Sequence, residues 1–322
     1  MLQEMTDEKA RRLLELSHEL HWAFPSSQGT PIIRGHSMSQ PVEQAVPERG
    51  SYANAAHVLL ENGDGEGAVE IASNAWRLWV VARDIDGGRA FLASVLDTGE
   101  KKLSLARSLA LYGDALLAFR QGKIEESRER SQAALDAAVM VNDREALTLA
   151  NLALSRVAFE DGDYAKSLTF AVKAREFAKD LDPALGQAPL FLHASATRMI
   201  RDYDQAAALF EESLALNRRI NDQGMVWAEL QNLGLVEIHR GNVDAAERYF
   251  AESERLGTAN DPYATAMTQL YRAAIAFVRG NREESRTLLQ RAESSLREAK
   301  MDAGRDDQFE IDWLHEQLTK TV

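Results

Sequence analysis

The 322-residue sequence contains no cysteine, which excludes a disulfide framework, a cysteine-ligated zinc site and a thiol nucleophile. Basic residues are scarce relative to acidic ones. The chain has 37 Lys and Arg against 50 Asp and Glu, which gives a net charge of −13. A protein that grips phosphate backbones needs a basic surface, so this balance argues against nucleic-acid binding as the main task.

Long hydrophobic runs are missing as well. The longest uncharged run, residues 183–197, is shorter than a membrane-spanning helix and contains Gln187 and His193. The first eight residues are acidic and lack the apolar stretch of a signal peptide. We therefore expect a cytoplasmic protein.

Helix-forming residues are abundant, with 49 Ala and 39 Leu. A two-residue signal typical of a tight turn recurs along the chain at intervals of 39 or 40 residues. It stands at Arg83-Asp84, Gly122-Lys123, Gly162-Asp163, Arg201-Asp202, Gly241-Asn242 and Gly280-Asn281. Such regular spacing predicts a structural repeat.

Each signal lies between two amphipathic patterns with apolar or small residues three and four apart, which predicts a helix on either side. Glycine suits the left-handed end of the first helix, and the following Asp or Asn suits the N-cap of the second. A second series, Asp143, Asp182, Asp222 and Asp261, marks the turns between repeats. Each repeat is therefore predicted to be a helical hairpin.

Two stretches carry a family resemblance: residues 232–250, with Gly234, Ala246 and Phe250, and residues 162–174, with Ala171 and Ala174. They resemble the tetratricopeptide repeat, although the usual repeat has fewer residues than these hairpins. Residues 61–64, 76–79 and 112–122 are similar to the tetratricopeptide tails of bacterial signal-transduction ATPases of the LuxR and antibiotic-regulator type. The sequence contains no Gly-x-x-x-x-Gly-Lys-Ser/Thr nucleotide-binding motif and no evident DNA-reading module.

The resemblance covers about residues 51–299 and implies an all-α fold, a right-handed superhelical α-solenoid of six to seven hairpins. We expect four segments: an N-terminal amphipathic helix (1–24), a Pro/Ser/Gly-rich linker (25–50), the solenoid (51–300) and a C-terminal capping helix (301–322, helical over 309–318).

The family fold also implies a groove lined by the first helix of each hairpin. Arg120, Arg156 and Arg198 are expected there in successive repeats, where guanidinium groups can bind carboxylates. Amides hold an extended peptide backbone, and aromatic rings form apolar pockets. The remaining candidates of these two kinds are Tyr112, Phe119, Phe159, Phe191, Gln231, Asn232, His239, Tyr271 and Phe277. The alternative is that these arginines pair with Glu160, Glu237 or other helical acids.

Four other features have an ordinary structural explanation. His18 and His21 lack the spacing of a metalloprotease helix, and Ser37 lacks the second glycine of a nucleophile elbow. Residues 84–88 predict a turn and N-cap rather than a calcium loop, and Trp76 and Trp79 predict core packing. We expect no catalytic residue, metal or cofactor.

The leading hypothesis is a non-enzymatic regulator or scaffold that binds a peptide or protein segment in its groove. The alternative is a self-assembling protein that dimerises through its N-terminal segment or terminal helix. An enzyme, or a nucleic-acid-binding protein that uses the groove arginines, is a weaker alternative.

Overall fold

The computed structural model describes residues 5–21, 40–98, 101–256 and 261–320. Within these ranges the chain forms helices and no strand, which confirms the predicted all-α class. The helices are α1 (Asp7–Ser17), α2 (Gln40–Ala45), α3 (Arg49–Glu61), α4 (Gly65–Ala75), α5 (Arg77–Val81), α6 (Ile85–Leu96), α7 (Leu105–Arg120), α8 (Ile124–Val141), α9 (Arg144–Glu160), α10 (Tyr164–Ala178), α11 (Pro183–Met199), α12 (Tyr203–Arg219), α13 (Gln223–His239), α14 (Val243–Leu256), α15 (Pro262–Val278), α16 (Arg282–Glu298) and α17 (Arg305–Thr319). Short 3-10 turns follow α1 and α2.

The predicted turns within the hairpins are confirmed. In four of the six predicted turns the first residue of the two-residue signal is a glycine: Gly122, Gly162, Gly241 and Gly280. Their φ angles lie between 73° and 84°, in the left-handed region that glycine enters without steric cost. Arg83 and Arg201 occupy the same turn position with φ of 58° and 67°. These two arginines carry a backbone strain that the glycines avoid.

Acidic residues begin several helices. Asp163 and Asp202 each accept a hydrogen bond from a backbone N–H of the helix that follows, as predicted. Asp143, Asp182, Asp222 and Asp261 do the same at the turns between repeats. Asn281 also occupies the predicted N-cap position, but its side chain donates to Glu284 and makes no hydrogen bond to the helix backbone.

Five regular hairpins follow one another from α7. We call α7, α9, α11, α13 and α15 the first helices, and α8, α10, α12, α14 and α16 the second helices. The chain divides into two compact units, residues 1–189 (unit 1) and 190–322 (unit 2), and the division falls within α11 at Pro189.

In unit 1 the predicted core role of the tryptophans is confirmed. Trp76 and Trp79 are both buried, and Trp79 stacks on Phe91 with ring centroids 4.5 Å apart. Gly113 lets α7 approach Trp76, since a Cβ at this glycine would stand 2.9 Å from the indole ring. Asp84 accepts a hydrogen bond from the Gly87 N–H at 2.9 Å, so residues 84–88 form the predicted N-cap.

The N-terminal helix α1 packs against α3 and α4, where Asn74 donates to the Ser17 hydroxyl at 3.1 Å. Residues 25–39 of the predicted linker, which include Ser37, lie outside the described residues. For residues 40–50 the prediction of a loop is wrong, because this stretch is helical. Pro47 stands in the first turn of its helical segment, a position where the missing N–H costs no hydrogen bond.

The core of unit 2 consists of two clusters of leucine, alanine and aromatic side chains, one from α11 to α13 and the other from α13 to α17. Phe250 stacks on Tyr271 at 4.7 Å, and Gly234 leaves the space that the Phe250 ring fills. The predicted terminal helix is confirmed, but it begins at Arg305 and not at Phe309. Its Ile311, Leu314 and Leu318 are buried in this core.

Candidate functional site

All twelve predicted groove residues lie on first helices. In unit 1 they are on α7 and α9, a surface that we call the unit 1 face: Tyr112, Phe119, Arg120, Arg156 and Phe159. In unit 2 they are on α13, on α15 and on the part of α11 that begins at Leu190. We call this surface the unit 2 face, and its residues are Phe191, Arg198, Gln231, Asn232, His239, Tyr271 and Phe277.

On the unit 1 face, Arg156 is half-buried and donates to the Tyr112 hydroxyl at 3.3 Å. Tyr112 is itself buried and meets the edge of Trp76, with ring centroids 6.1 Å apart. Phe159 packs edge-on against Tyr164, while Phe119 is half-buried and Arg120 is exposed. The structure thus brings a guanidinium and aromatic rings together on neighbouring first helices.

A second guanidinium, that of Arg77, interacts with Tyr112 and with Glu145. The pKa of Arg77 is well below its ordinary value because burial disfavours the charged guanidinium, and attraction to Tyr112 and Glu145 offsets only part of this. Glu145 also lies 3.4 Å from His21. The hydrogen-bonding interaction of the imidazole with the Glu145 carboxylate is the main cause of the raised pKa of His21.

The two N-terminal histidines have separate partners. His18 Nε2 lies 2.8 Å from a Glu70 carboxylate oxygen, whereas His21 contacts Asn74 and Glu145. Within the described ranges, no cluster of three or more His, Asp or Glu side chains could hold a metal ion. No helix in those ranges has the length and apolarity to cross a bilayer.

On the unit 2 face, Arg198 departs from expectation. Its side chain is completely buried, so it does not present a free guanidinium to solvent. Nη1 donates to Glu310 at 3.0 Å, and Nη2 donates to the Asp306 carbonyl at 3.3 Å and lies 3.6 Å from the Asp306 carboxylate. Both acids belong to α17. The alternative that the arginines pair with helical acids therefore holds for Arg198, with partners on the terminal helix.

His239 is the centre of the same cluster. Its Nε2 lies 2.9 Å from the second carboxylate oxygen of Glu310. Tyr203 stacks on one side of its ring at 4.6 Å, and Trp313 of α17 meets it edge-on at 4.7 Å. Trp313 also packs against Phe277. Side chains of first helices thus contact both a carboxylate and an indole ring of α17.

The predicted amides have internal partners. Gln231 and Asn232 are buried, with Gln231 accepting from the Tyr271 hydroxyl at 2.9 Å and Asn232 donating to the Ala228 carbonyl at 3.0 Å. Phe191 packs edge-on against Phe210. Gln231 thus links α13 to α15, whereas Asn232 bonds within its own helix.

The acidic start of α17 is held by Tyr263, whose hydroxyl donates to Asp307 and accepts from the Gly304 N–H at 3.0 Å. Burial is the largest cause that raises the pKa of Asp307 to about 7, and the neighbouring Asp306 carboxylate adds to it. Burial likewise raises the pKa of Tyr263.

Sequence reasoning placed α17 as a cap and missed its role at this site. The contributing residues are Asp306, Asp307, Phe309, Glu310 and Trp313. A signal was present in the sequence: Asp306 and Glu310 stand four residues apart, as do Phe309 and Trp313, so each pair lies on one side of the helix.

No protein-family model matches the sequence, and no curated protein matches it. Solved structures do match. A Rap protein complexed with Competence and Sporulation Factor is 14% identical, with a TM-score of 0.61 over 96% of this chain and 80% of that one. NprR in complex with its cognate peptide NprX is 17% identical, with a TM-score of 0.56 over 85% and 82%.

BtubC from P. vanneervenii is also 17% identical, with a TM-score of 0.55 over 68% of this chain and 91% of that one. Identities this low establish likeness of fold. Together with the helical hairpins repeated every 39 or 40 residues, they show that the chain has the fold of a tetratricopeptide-repeat protein.

Proposed function

We propose that this chain is a non-enzymatic regulatory protein that binds an acidic peptide or protein segment on the faces formed by its first helices. One observation carries the proposal: the unit 2 face holds an acidic helix, α17, through Arg198 and His239. The same surface chemistry therefore receives carboxylates and aromatic rings within the chain. The fold is similar to that of NprR in complex with a peptide, which is consistent with this role.

The unit 1 face offers a place for an external acidic group. Within the described residues, the guanidinium of Arg156 bonds the Tyr112 hydroxyl and forms no ion pair. A half-buried guanidinium next to aromatic rings favours a carboxylate, because the two N–H donors of its fork match the two carboxylate oxygens. We assign Arg156, Tyr112, Phe119 and Phe159 to this binding surface, and Arg120 to its edge.

The test is to select binders of the full chain from a displayed library of random peptides. The best peptide is then synthesised, and its affinity is measured by calorimetry. We expect the selected peptides to contain an acidic residue near an aromatic one. Arg156→Ala is expected to weaken binding by about tenfold or more, since a charge-assisted bidentate contact is lost.

Lys166→Ala is the matched control, because it removes the same charge from an exposed position on the second helix α10. It is expected to leave the affinity unchanged. Selection of no peptide, or equal affinities for wild type and Arg156→Ala, would contradict the proposal for this face.

A further inference from the structure

Helix α17 lies across the unit 2 face. Its residues contact three first helices: Arg198 of α11, His239 of α13, and Tyr263 of α15. A non-helical segment, residues 301–304, separates α17 from α16. Glu310 lies 112 positions from its partner Arg198 in the sequence, so the contact is not a local feature of the last hairpin.

The two sides of α17 differ in chemistry. Ile311, Leu314 and Leu318 pack into the apolar core, as a terminal cap requires. The remaining contacts are polar and aromatic, and they bury Glu310 almost completely. Burying a charge is costly, and an apolar side chain of similar size often serves stability equally well. A purely structural cap therefore gives no reason for buried acids at these positions.

The charges at this contact are also unequal. One guanidinium, Arg198, and one imidazole, His239, face three carboxyl groups on α17: Asp306, Asp307 and Glu310. The buried Nε of Arg198 has no hydrogen-bond partner among the described residues. The contact is therefore not fully complementary: α17 brings more carboxyl groups than there are cationic groups facing it, and one N–H donor of Arg198 has no acceptor among the described residues.

We propose that α17 is a built-in, displaceable occupant of the unit 2 face, and that the partner of this face is an acidic, aromatic helical segment which takes its place. This proposal rests on the proposed function, because it names the ligand class and the regulation of the same kind of site. In the closed state α17 covers Arg198 and His239, and a partner helix gains access only when α17 leaves.

The residues of α17 define the chemistry of the partner. Relative to Asp306, Phe309 stands at i+3, Glu310 at i+4 and Trp313 at i+7, which places them along one side of a helix. Phe309 additionally lies under the Arg201 guanidinium at 5.8 Å. A partner helix with an acid, two flanking aromatic residues and an apolar stripe fits the same anchors, as in other helix-in-groove complexes.

The first measurement is hydrogen exchange in the wild-type chain without any ligand. If α17 is displaceable, its amides exchange through local opening, roughly tenfold or more faster than those of α15. This readout needs no mutation and no partner. Equal exchange rates for α17 and α15 would show that α17 opens only when the whole unit unfolds, and would overturn the proposal.

The second measurement uses a fluorescent synthetic peptide of residues 301–320, added to full-length chains. Glu310→Gln removes the charge that faces Arg198 and His239, so the chain's own α17 competes less well. We expect this variant to bind the peptide at least about tenfold more tightly than wild type. Asp312→Asn, an equal charge change at an exposed position of α17, is the control and should bind like wild type.

A peptide that itself carries Glu310→Gln is expected to bind the variant chain more weakly than the unmodified peptide. Equal binding of the unmodified peptide to wild type and Glu310→Gln chains would overturn displacement. Failure of the library selection with wild type, together with tight peptide binding by the Glu310→Gln chain, would instead count against external ligands at the unit 1 face and leave α17 displacement supported.

Discussion

The two units bury their charges in different ways. In unit 1 the fully buried Asp114 lies between Arg89, at 2.7 Å, and Arg130, at 2.9 Å. These residues come from the consecutive helices α6, α7 and α8. In unit 2 the fully buried Arg198 is paired with Glu310, 112 positions away in sequence, on the terminal helix.

The difference shows what each cluster does. Arg89 and Arg130 are 14% and 25% exposed, and each also binds an outer acid, Glu126 or Asp97. The unit 1 cluster therefore ties neighbouring helices together and stays in contact with water. In unit 2 the Arg198, Glu310 and His239 side chains are almost completely buried, and their contacts join α11 and α13 to the terminal helix α17.

The largest expected effect tests this comparison directly. Arg198→Ala leaves Glu310 buried without its guanidinium and is expected to lower the free energy of unfolding by about 3–5 kcal/mol. Asp114→Asn is expected to cost only about 1–2 kcal/mol, because Arg89 and Arg130 keep their outer acids and solvent. Urea denaturation of both variants measures the two values. Equal losses would show that the two clusters are energetically alike.

The second effect is a pH dependence of stability to which Glu229 of unit 2 contributes. Burial raises the pKa of Glu229, which accepts a hydrogen bond from Ser213, from 4.5 to about 8. Between these values the folded chain holds a proton that the unfolded chain has lost, so stability falls as the pH rises. We expect a loss of about 2 kcal/mol between about pH 6 and pH 8.

Glu229→Gln should flatten this dependence, and Asp307 contributes with the same sign because its pKa is also raised. Thermal or urea unfolding across the pH range measures the slope. Asp312→Asn, at an exposed carboxylate, serves as the control with an unchanged slope. A slope of the wild-type size in Glu229→Gln would assign the pH dependence to other groups.

The smallest effect compares two equivalent turns. Arg83 in unit 1 and Arg201 in unit 2 both have positive φ, so glycine relieves strain at either position. Arg83→Gly is expected to raise the free energy of unfolding by about 0.5–1 kcal/mol. Arg201→Gly is expected to gain less, since it also removes the guanidinium that lies over Phe309 of α17. A larger gain for Arg201→Gly would show that this contact does not hold α17.

Much of the fold could be predicted from the sequence because its signals are local. Gly122 and Gly162 mark turns by their backbone freedom, and Asp143 and Asp222 mark helix starts by hydrogen bonds to N–H groups three residues on. The structure of residues 40–50 could not be predicted from such local signals. Residues 40–50 were expected to be a loop on composition, and they are helical.

The candidate site was predictable only in part. The repeat register assigned Arg156, Arg198 and His239 correctly to first helices. It could not tell that Arg198 is sealed while Arg156 is half-buried, because an arginine on a helix surface is compatible with either environment. Burial depends on what covers the helix, and that is set by distant parts of the chain.

The sequence by itself determined the helical hairpins, their period of 39 or 40 residues and the turns between them, because each depends on side chains within one or two turns of helix. Only the tertiary structure decided that α17 lies over Arg198 and His239 and gives Glu310 its partners. An ion pair between residues 198 and 310 depends on the path of every helix in between, and no local pattern encodes that path.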